Sequence, residues 1–264
     1  MEIAGFAASL LIGISLGLIG GGGSILTVPV LVYLFYLEPV VATAYSLFIV
    51  GITGAIGSVA YFKKGLVNTK TAIIFGIPSV IAVFLTRAYI VPAIPDDILH
   101  IGQFMLTKNI LLMLLFGILM IIASYSMIRK EKQETSHTNT AQSFNYPLIL
   151  LEGSIVGILT GLVGAGGGFL IIPALVLLSK LPMKEAVGTS LVIIAAKSLI
   201  GFMGDKEANE IDWMLLIKVT AFAIGGLFVG IRLSKIISGE KLKPAFGWFV
   251  LIMGLYIILK EALF

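Results

Sequence analysis

The 264 residues are 58% hydrophobic and 12% charged, with a mean hydropathy of +1.08; that is too little charge to cover the surface of a soluble domain of this size. The formal net charge of +4 comes from basic residues in short gaps beside apolar segments, which is an orientation signal for a membrane protein and not a nucleic-acid footprint. Cysteine is absent, so disulfides, thiol catalysis and cysteine metal sites are excluded.

The Met-Glu start lacks a basic n-region, so the N-terminus is expected to stay as helix and not to be removed as a signal peptide. Eight apolar segments follow. The first covers about 3–36 and is interrupted at Gly20 to Gly23; the next three cover about 40–62, 71–91 and 107–128. After a polar gap at 129–145 come 146–179, interrupted at Gly164 to Gly168, then 184–203, 212–232 and 245–262. The runs are continuously apolar without strand-like alternation, so they read as helices, whose backbone satisfies its own hydrogen bonds in lipid. The 129–145 gap is too short for an ATPase or a soluble catalytic domain.

The chain repeats itself at an offset of 144 residues. Gly17, Leu18, Gly20, Gly22, Gly23, Leu26, Pro29 and Leu31 fall on Gly161, Leu162, Gly164, Gly166, Gly167, Leu170, Pro173 and Leu175, and the register runs without a gap from Gly13 to Gly57. This predicts an all-α polytopic membrane protein of two repeated halves, 1–128 and 146–264, joined by a cytoplasmic linker at 129–145. Each half holds a glycine-broken helix or re-entrant hairpin plus three transmembrane helices.

Charge decides between simple spans and hairpins. Lys63, Lys64 and Lys70, then Arg129, Lys130 and Lys132, then Lys180 and Lys184, and finally Arg232, Lys235, Lys241 and Lys243 mark cytoplasmic gaps. The acidic gaps hold Glu38, then Asp96 and Asp97, then Asp205, Glu207, Glu210 and Asp212. Eight simple crossings would put the basic gaps at 180–184 and 232–243 outside. If each glycine-broken segment returns to its own side, all the basic gaps become cytoplasmic, both termini lie outside, and the halves are inverted.

Near-consecutive glycines cost a helix about 1 kcal/mol each relative to alanine, and unwound backbone in a membrane must be received by protein or a water-filled cavity. Gly20, Gly21, Gly22 and Gly23, with Ser24 and Thr27 following, and Gly164, Gly166, Gly167 and Gly168 are therefore candidate substrate-binding elements. Amides at the start of a second helical arm suit an anion. No strand precedes either cluster and no Gly-Lys-Ser/Thr follows, which excludes the nucleotide-binding loops.

The paired Gly-Leu-x-Gly-x-Gly-Gly-Gly-x-x-x-x-Pro pattern, with Val-Gly-Thr-Ser-Leu at 187–191, resembles the sulfite exporter TauE/SafE family of membrane transporters. The first copy departs from it, with Gly21 opposite Ala165, Ser24 opposite Gly168 and Ala-Tyr-Ser-Leu at 44–47. The resemblance implies export or uptake of sulfite, thiosulfate, sulfoacetate or another small organic anion, coupled to an ion gradient of protons or sodium. Similar proteins usually carry Asn in an Asn-Ser-x-x-Gly context where this chain has Lys197-Ser198-Leu199-Ile200-Gly201, so the substrate does not carry over.

Lys197, inside the sixth segment, is a candidate anion ligand, with snorkelling or pairing with Asp205 as the alternatives. Ser46, Thr189 and Ser190 are candidate hydrogen-bonding residues for substrate, or bond their own helices. Glu152 is the candidate proton carrier, Arg87 and Lys218 read as interface anchors, and Trp213, Trp248 and Tyr146 fit the aromatic belt. His100 and His137 fall in gaps without companions. No cofactor, metal or nucleic-acid partner is expected; the partners are the bilayer, a small anion and a coupling ion. The function expected is a secondary carrier in a bacterial or archaeal plasma membrane, with an anion channel or a partner-dependent membrane subunit as alternatives.

Overall fold

The computed structural model describes residues 2–101, 104–128, 146–177, 179, 181–205, 211–234 and 239–263. The proposed linker at 129–145, with His137, lies outside the described residues, as do Lys180, Lys235, Glu207 and Glu210.

The described chain is almost entirely helical, as its apolar runs require. Helix α1 (Glu2–Ile19) runs into a tight 3-10 turn at Gly20–Leu26, then α2 (Thr27–Leu34). α3 (Pro39–Phe62) and α4 (Thr69–Leu85) follow; a π-helical turn at Thr86–Ile90 joins α4 to the short α5 (Val91–Ala93). After α6 (Lys108–Ile128) come α7 (Tyr146–Val163), α8 (Gly168–Leu177), α9 (Met183–Met203), α10 (Trp213–Leu233) and α11 (Gly239–Leu263). The starts have local causes. Pro39 opens α3, where its missing N–H costs nothing, and Asn68 and Asp212 cap α4 and α10 by accepting hydrogen bonds from the amides of Thr71 and Leu215 at 3.0 Å.

Two features depart from the sequence reading. A short antiparallel hairpin, β1 (Asp97–Ile101) with β2 (Phe104–Thr107), fills the gap before α6. α11 begins at Gly239, six residues ahead of the apolar run at 245. Among the described residues, five helices are long and apolar enough to cross a membrane: Pro39–Phe62, Thr69–Ala93, Lys108–Tyr125, Met183–Met203 and Trp213–Leu233. The apolar helices Ala4–Ile19, Gly23–Leu34 and Pro147–Val163 are shorter.

Both glycine clusters redirect the chain. Gly20 (φ 71°) and Gly164 (φ 72°) adopt the left-handed conformation that ends an L-residue helix. After the first break the chain doubles back. Gly23 lies against Ser15 and Leu16 of α1, and Phe35, just past α2, packs its ring on Gly5 and edge-on to Phe6 with centroids 5.5 Å apart. In the second half Ile149, at the start of α7, shares a core cluster with Leu175 and Leu181, on either side of the α8 end.

Helix pairing crosses between the halves. α1 packs chiefly on α10 and α7 on α4, while α3 packs on α9 and α6 on α11. Glycines allow these approaches: Gly13 and Gly17 meet the α10 backbone near Ala223 and Leu227, and Gly226 and Gly230 meet α1 in return. The outward-facing surfaces of the bundle are apolar, with Ile73, Ile77, Ile81, Ile217, Phe228, Ile252 and Leu259 exposed, as lipid contact demands.

Candidate functional site

The two glycine turns meet at the centre. Gly21 abuts Gly168 backbone to backbone, with no room for a Cβ on either. Each turn also seats on a long helix of the other half. Gly20 lies against Val187 and Gly21 against Ile194 of α9; Gly164 lies against Thr43 and Gly166 against Val50 of α3. Val50 and Ile194 fall near the middle of their helices.

The two turns differ in chemistry. At the first, Ser24 donates to the carbonyl of Gly21 at 2.7 Å, so its hydroxyl serves the turn itself. The second has a polar shell. Lys197 of α9 is completely buried, and its Nζ donates to Thr160 Oγ1 of α7 at 3.0 Å. A Cβ on Gly167 (φ 67°) would come within 2.6 Å of that Nζ. Among the described residues no carboxylate lies within 4 Å of Nζ. The residue 144 positions before Lys197 is Thr53, which spends its hydroxyl on the carbonyls of Ile49 and Val50. Burying an ammonium group away from water and any counter-charge is costly.

Hydroxyls with no hydrogen-bond partner lie on the helices around the same turn. Among the described residues Ser46, Ser79 and Ser198 are buried in this state, as is Thr27, which opens α2 after the first turn. Ser46 lies on the α3 face between Thr43 and Val50, which flank the turn. Ser198 Oγ would be 3.4 Å from a Cβ on Gly166. Ser79 belongs to the stripe of α4 on which Gly76 meets Ile193 and Val83 meets Gly201, and Lys197 lies midway between those two α9 contacts. α8 starts at Gly168, at the same place; the amides of Leu170 and Ile171 donate to the carbonyl of Gly167 at 3.0 Å, so those of Gly168 and Phe169 are the ones its N-terminus can offer. Four helices, α3, α4, α7 and α9, thus bring one cation, several hydroxyls and a helix start around a left-handed glycine turn.

Other candidates lie elsewhere or are already engaged. Ser190 donates to the carbonyl of Val187 at 2.8 Å, and Thr189 accepts the amide of Asn68 at 2.9 Å near the start of α4. Glu152 is half-buried on α7, eight residues from Thr160 and so about 12 Å along the helix. Gly22 and Gly23 lie within the first turn. Ser79 and Ser198 were not singled out from the sequence; Ser198 adjoins Lys197, but nothing in the α4 sequence marks Ser79.

Two charge assignments need correction. Lys197 neither snorkels nor pairs with Asp205. Asp205 accepts a hydrogen bond from Arg87 Nη1 at 2.9 Å, and Arg87 is completely buried, not an interface anchor. Such a pair is strongly destabilised by loss of one partner, by about 3–5 kcal/mol, because the other charge stays buried. Lys218 is exposed, as an anchor would be. Trp213 and Trp248 are 51% and 56% exposed, and Trp213 lies edge-on to Phe48.

Residues 5–257 match the sulfite exporter TauE/SafE family. The chain belongs to that family. It is also 31% identical over 255 residues to a Xylella fastidiosa protein named "probable membrane transporter protein", covering 94% of this chain and 91% of the relative. Identity is 29% to the Bacillus subtilis "probable membrane transporter protein YdhB", covering 94% and 96%. A Methanocaldococcus jannaschii relative of the same description is 28% identical, covering 94% and 92%. No solved structure matches. Family and apolar helices together make this TauE/SafE member an integral membrane protein.

Proposed function

We propose that this TauE/SafE member is a secondary carrier that moves a small anion across a bacterial or archaeal plasma membrane by alternating access. Sulfite, thiosulfate, sulfoacetate or a related organosulfur or small organic anion is the substrate class, and an ion gradient drives it. The carrying observation is Lys197, fully buried beside the second glycine turn, whose hydrogen-bond partner among the described residues is the neutral Thr160 hydroxyl. An oxyanion entering there supplies the counter-charge. Its oxygens accept from Nζ, from the hydroxyls of Ser46, Ser79 and Ser198, and from the first amides of α8. Nζ exchanges Thr160 for substrate without leaving its place.

Alternating access fits two inverted halves, 1–128 and 146–264, joined by a cytoplasmic linker at 129–145. The reversal that brings Phe35 back to Gly5 supports a re-entrant first hairpin. The three crossings per half are then α3, α4 with its π turn and α5, and α6, followed by α9, α10 and α11; five of these six are the long apolar helices. α1 and α7 begin and end 144 residues apart, 2 to 146 and 19 to 163. Exchanging the halves turns the α1–α10 pair into α7–α4 and leaves α3–α9 and α6–α11 unchanged. Glu152 is the candidate coupling group, set on α7 away from the anion.

The test is uptake of radiolabelled sulfite, thiosulfate, sulfate and a small carboxylate by proteoliposomes of the purified chain, with and without pH and sodium gradients. The expected result is saturable flux of one anion that follows one gradient. Flux that rises linearly with concentration and ignores counter-anion would favour a channel. No flux from folded protein would overturn the reading.

A further inference from the structure

The seam between α4 and α9 has three levels. At the lowest are Ser79 and Lys197, members of the site described above. One turn further along each helix, Val83 packs on Gly201, where an added Cβ would come within 3.1 Å of a Val83 methyl. One turn beyond that, Arg87 and Asp205 form their buried pair at 2.9 Å. Ser79, Val83 and Arg87 recur at i, i+4, i+8 on one side of the seam, and Lys197, Gly201 and Asp205 do so on the other. The three levels span about 12 Å.

The upper level sits where the two regular helices stop. Arg87 lies in the π-helical turn Thr86–Ile90, a geometry common at functional sites in helices. The turn also touches α7, where Thr86 packs on Gly161, the neighbour of Thr160. Asp205 follows the end of α9 after Gly204, which lies against Phe84. Above Lys197 the α4–α9 seam thus holds the Val83–Gly201 contact and the Arg87–Asp205 ion pair, where α9 ends and α4 passes into the π turn.

We infer that the Arg87–Asp205 pair is the outer gate of the anion path and that Arg87 is the anion's next station after Lys197. This rests on the carrier reading. When the seam parts, the guanidinium exchanges the Asp205 carboxylate, which takes a hydrogen bond from Nη1, for an oxyanion, to which its planar fork can donate two parallel hydrogen bonds. When the anion leaves, the carboxylate returns and closes the outside. Asp205 thus competes with substrate, and the outer side opens only when an anion or a parted seam substitutes for it.

The chain contains no cysteine, so one introduced thiol reports directly. The experiment measures labelling of Val83→Cys, one turn inside the pair and outside the anion site, by a membrane-impermeant maleimide added to the outer face of oriented proteoliposomes, with Asp205 intact and with Asp205→Asn. The prediction is labelling at least about tenfold faster in Asp205→Asn, with anion-dependent thermal stabilisation retained as the control for folding. Should Asp205→Asn prove unstable, the exchanged pair Arg87→Asp with Asp205→Arg restores opposite charges; the prediction is slow labelling, as for the parent. Equal labelling in Asp205→Asn that still binds anion would overturn the gate and leave the carrier reading standing. Absence of anion binding in the unsubstituted chain would overturn both.

Discussion

Two glycines in the same left-handed conformation separate strain from site. Gly65 (φ 66°) sits in the exposed turn after α3 with open space around it, whereas Gly167 (φ 67°) has Thr160 and the Lys197 ammonium where a Cβ would go. Gly65→Ala is expected to cost only the backbone term, about 1–2 kcal/mol. Gly167→Ala adds displacement of the lysine and should cost about 3 kcal/mol or more. Thermal unfolding of the two variants in detergent checks this; equal losses would place the Gly167 neighbourhood outside any tight packing. The sequence made Lys197 and the glycines visible because a charge and a helix-breaking cluster are both anomalous in an apolar run. It hid the Arg87–Asp205 pair, since residues 118 positions apart announce no contact and each charge alone resembles a helix-end anchor. Ser79 was equally hidden, because a serine in an apolar helix is ordinary until its neighbours are known.

At the level of elements, hydropathy located most helices well because lipid and backbone hydrogen bonding leave few alternatives to a continuous helix. Predicted 184–203 against observed Met183–Met203, and 107–128 against Lys108–Ile128, illustrate this. The early start of α11 escaped because 239–244 is polar, and the β1–β2 hairpin because its strands Asp97–Ile101 and Phe104–Thr107 are largely apolar runs of only five and four residues. The glycine clusters marked where helices break but not what surrounds the breaks. Only packing shows that the first turn satisfies its serine internally at 2.7 Å, while the second gathers Lys197, Thr160 and unpaired hydroxyls. Similar sequences at a constant offset therefore yield similar backbones with different chemistry, and the difference rests on pairs such as Lys197 against Thr53.

For the whole molecule, the claim is two inverted halves pivoting about a central anion site. Sidedness tests the inversion. Lys64→Cys and Arg232→Cys, at the ends of α3 and α10, are expected to be labelled only from the cytoplasmic face, and Asp97→Cys, in the β-hairpin, only from outside. Four crossings separate Lys64 from Arg232 if the second glycine segment is a hairpin, and five if it spans. Labelling of Lys64→Cys and Arg232→Cys from opposite faces would contradict the inversion. The most direct test of the central claim is calorimetric binding of the transported anion to the purified chain and to Lys197→Met. Methionine keeps much of the stem volume and removes the charge, so folding should be unharmed or improved, while affinity should fall about thirtyfold or more. Unchanged affinity in a folded Lys197→Met protein would place the anion somewhere other than the second glycine turn.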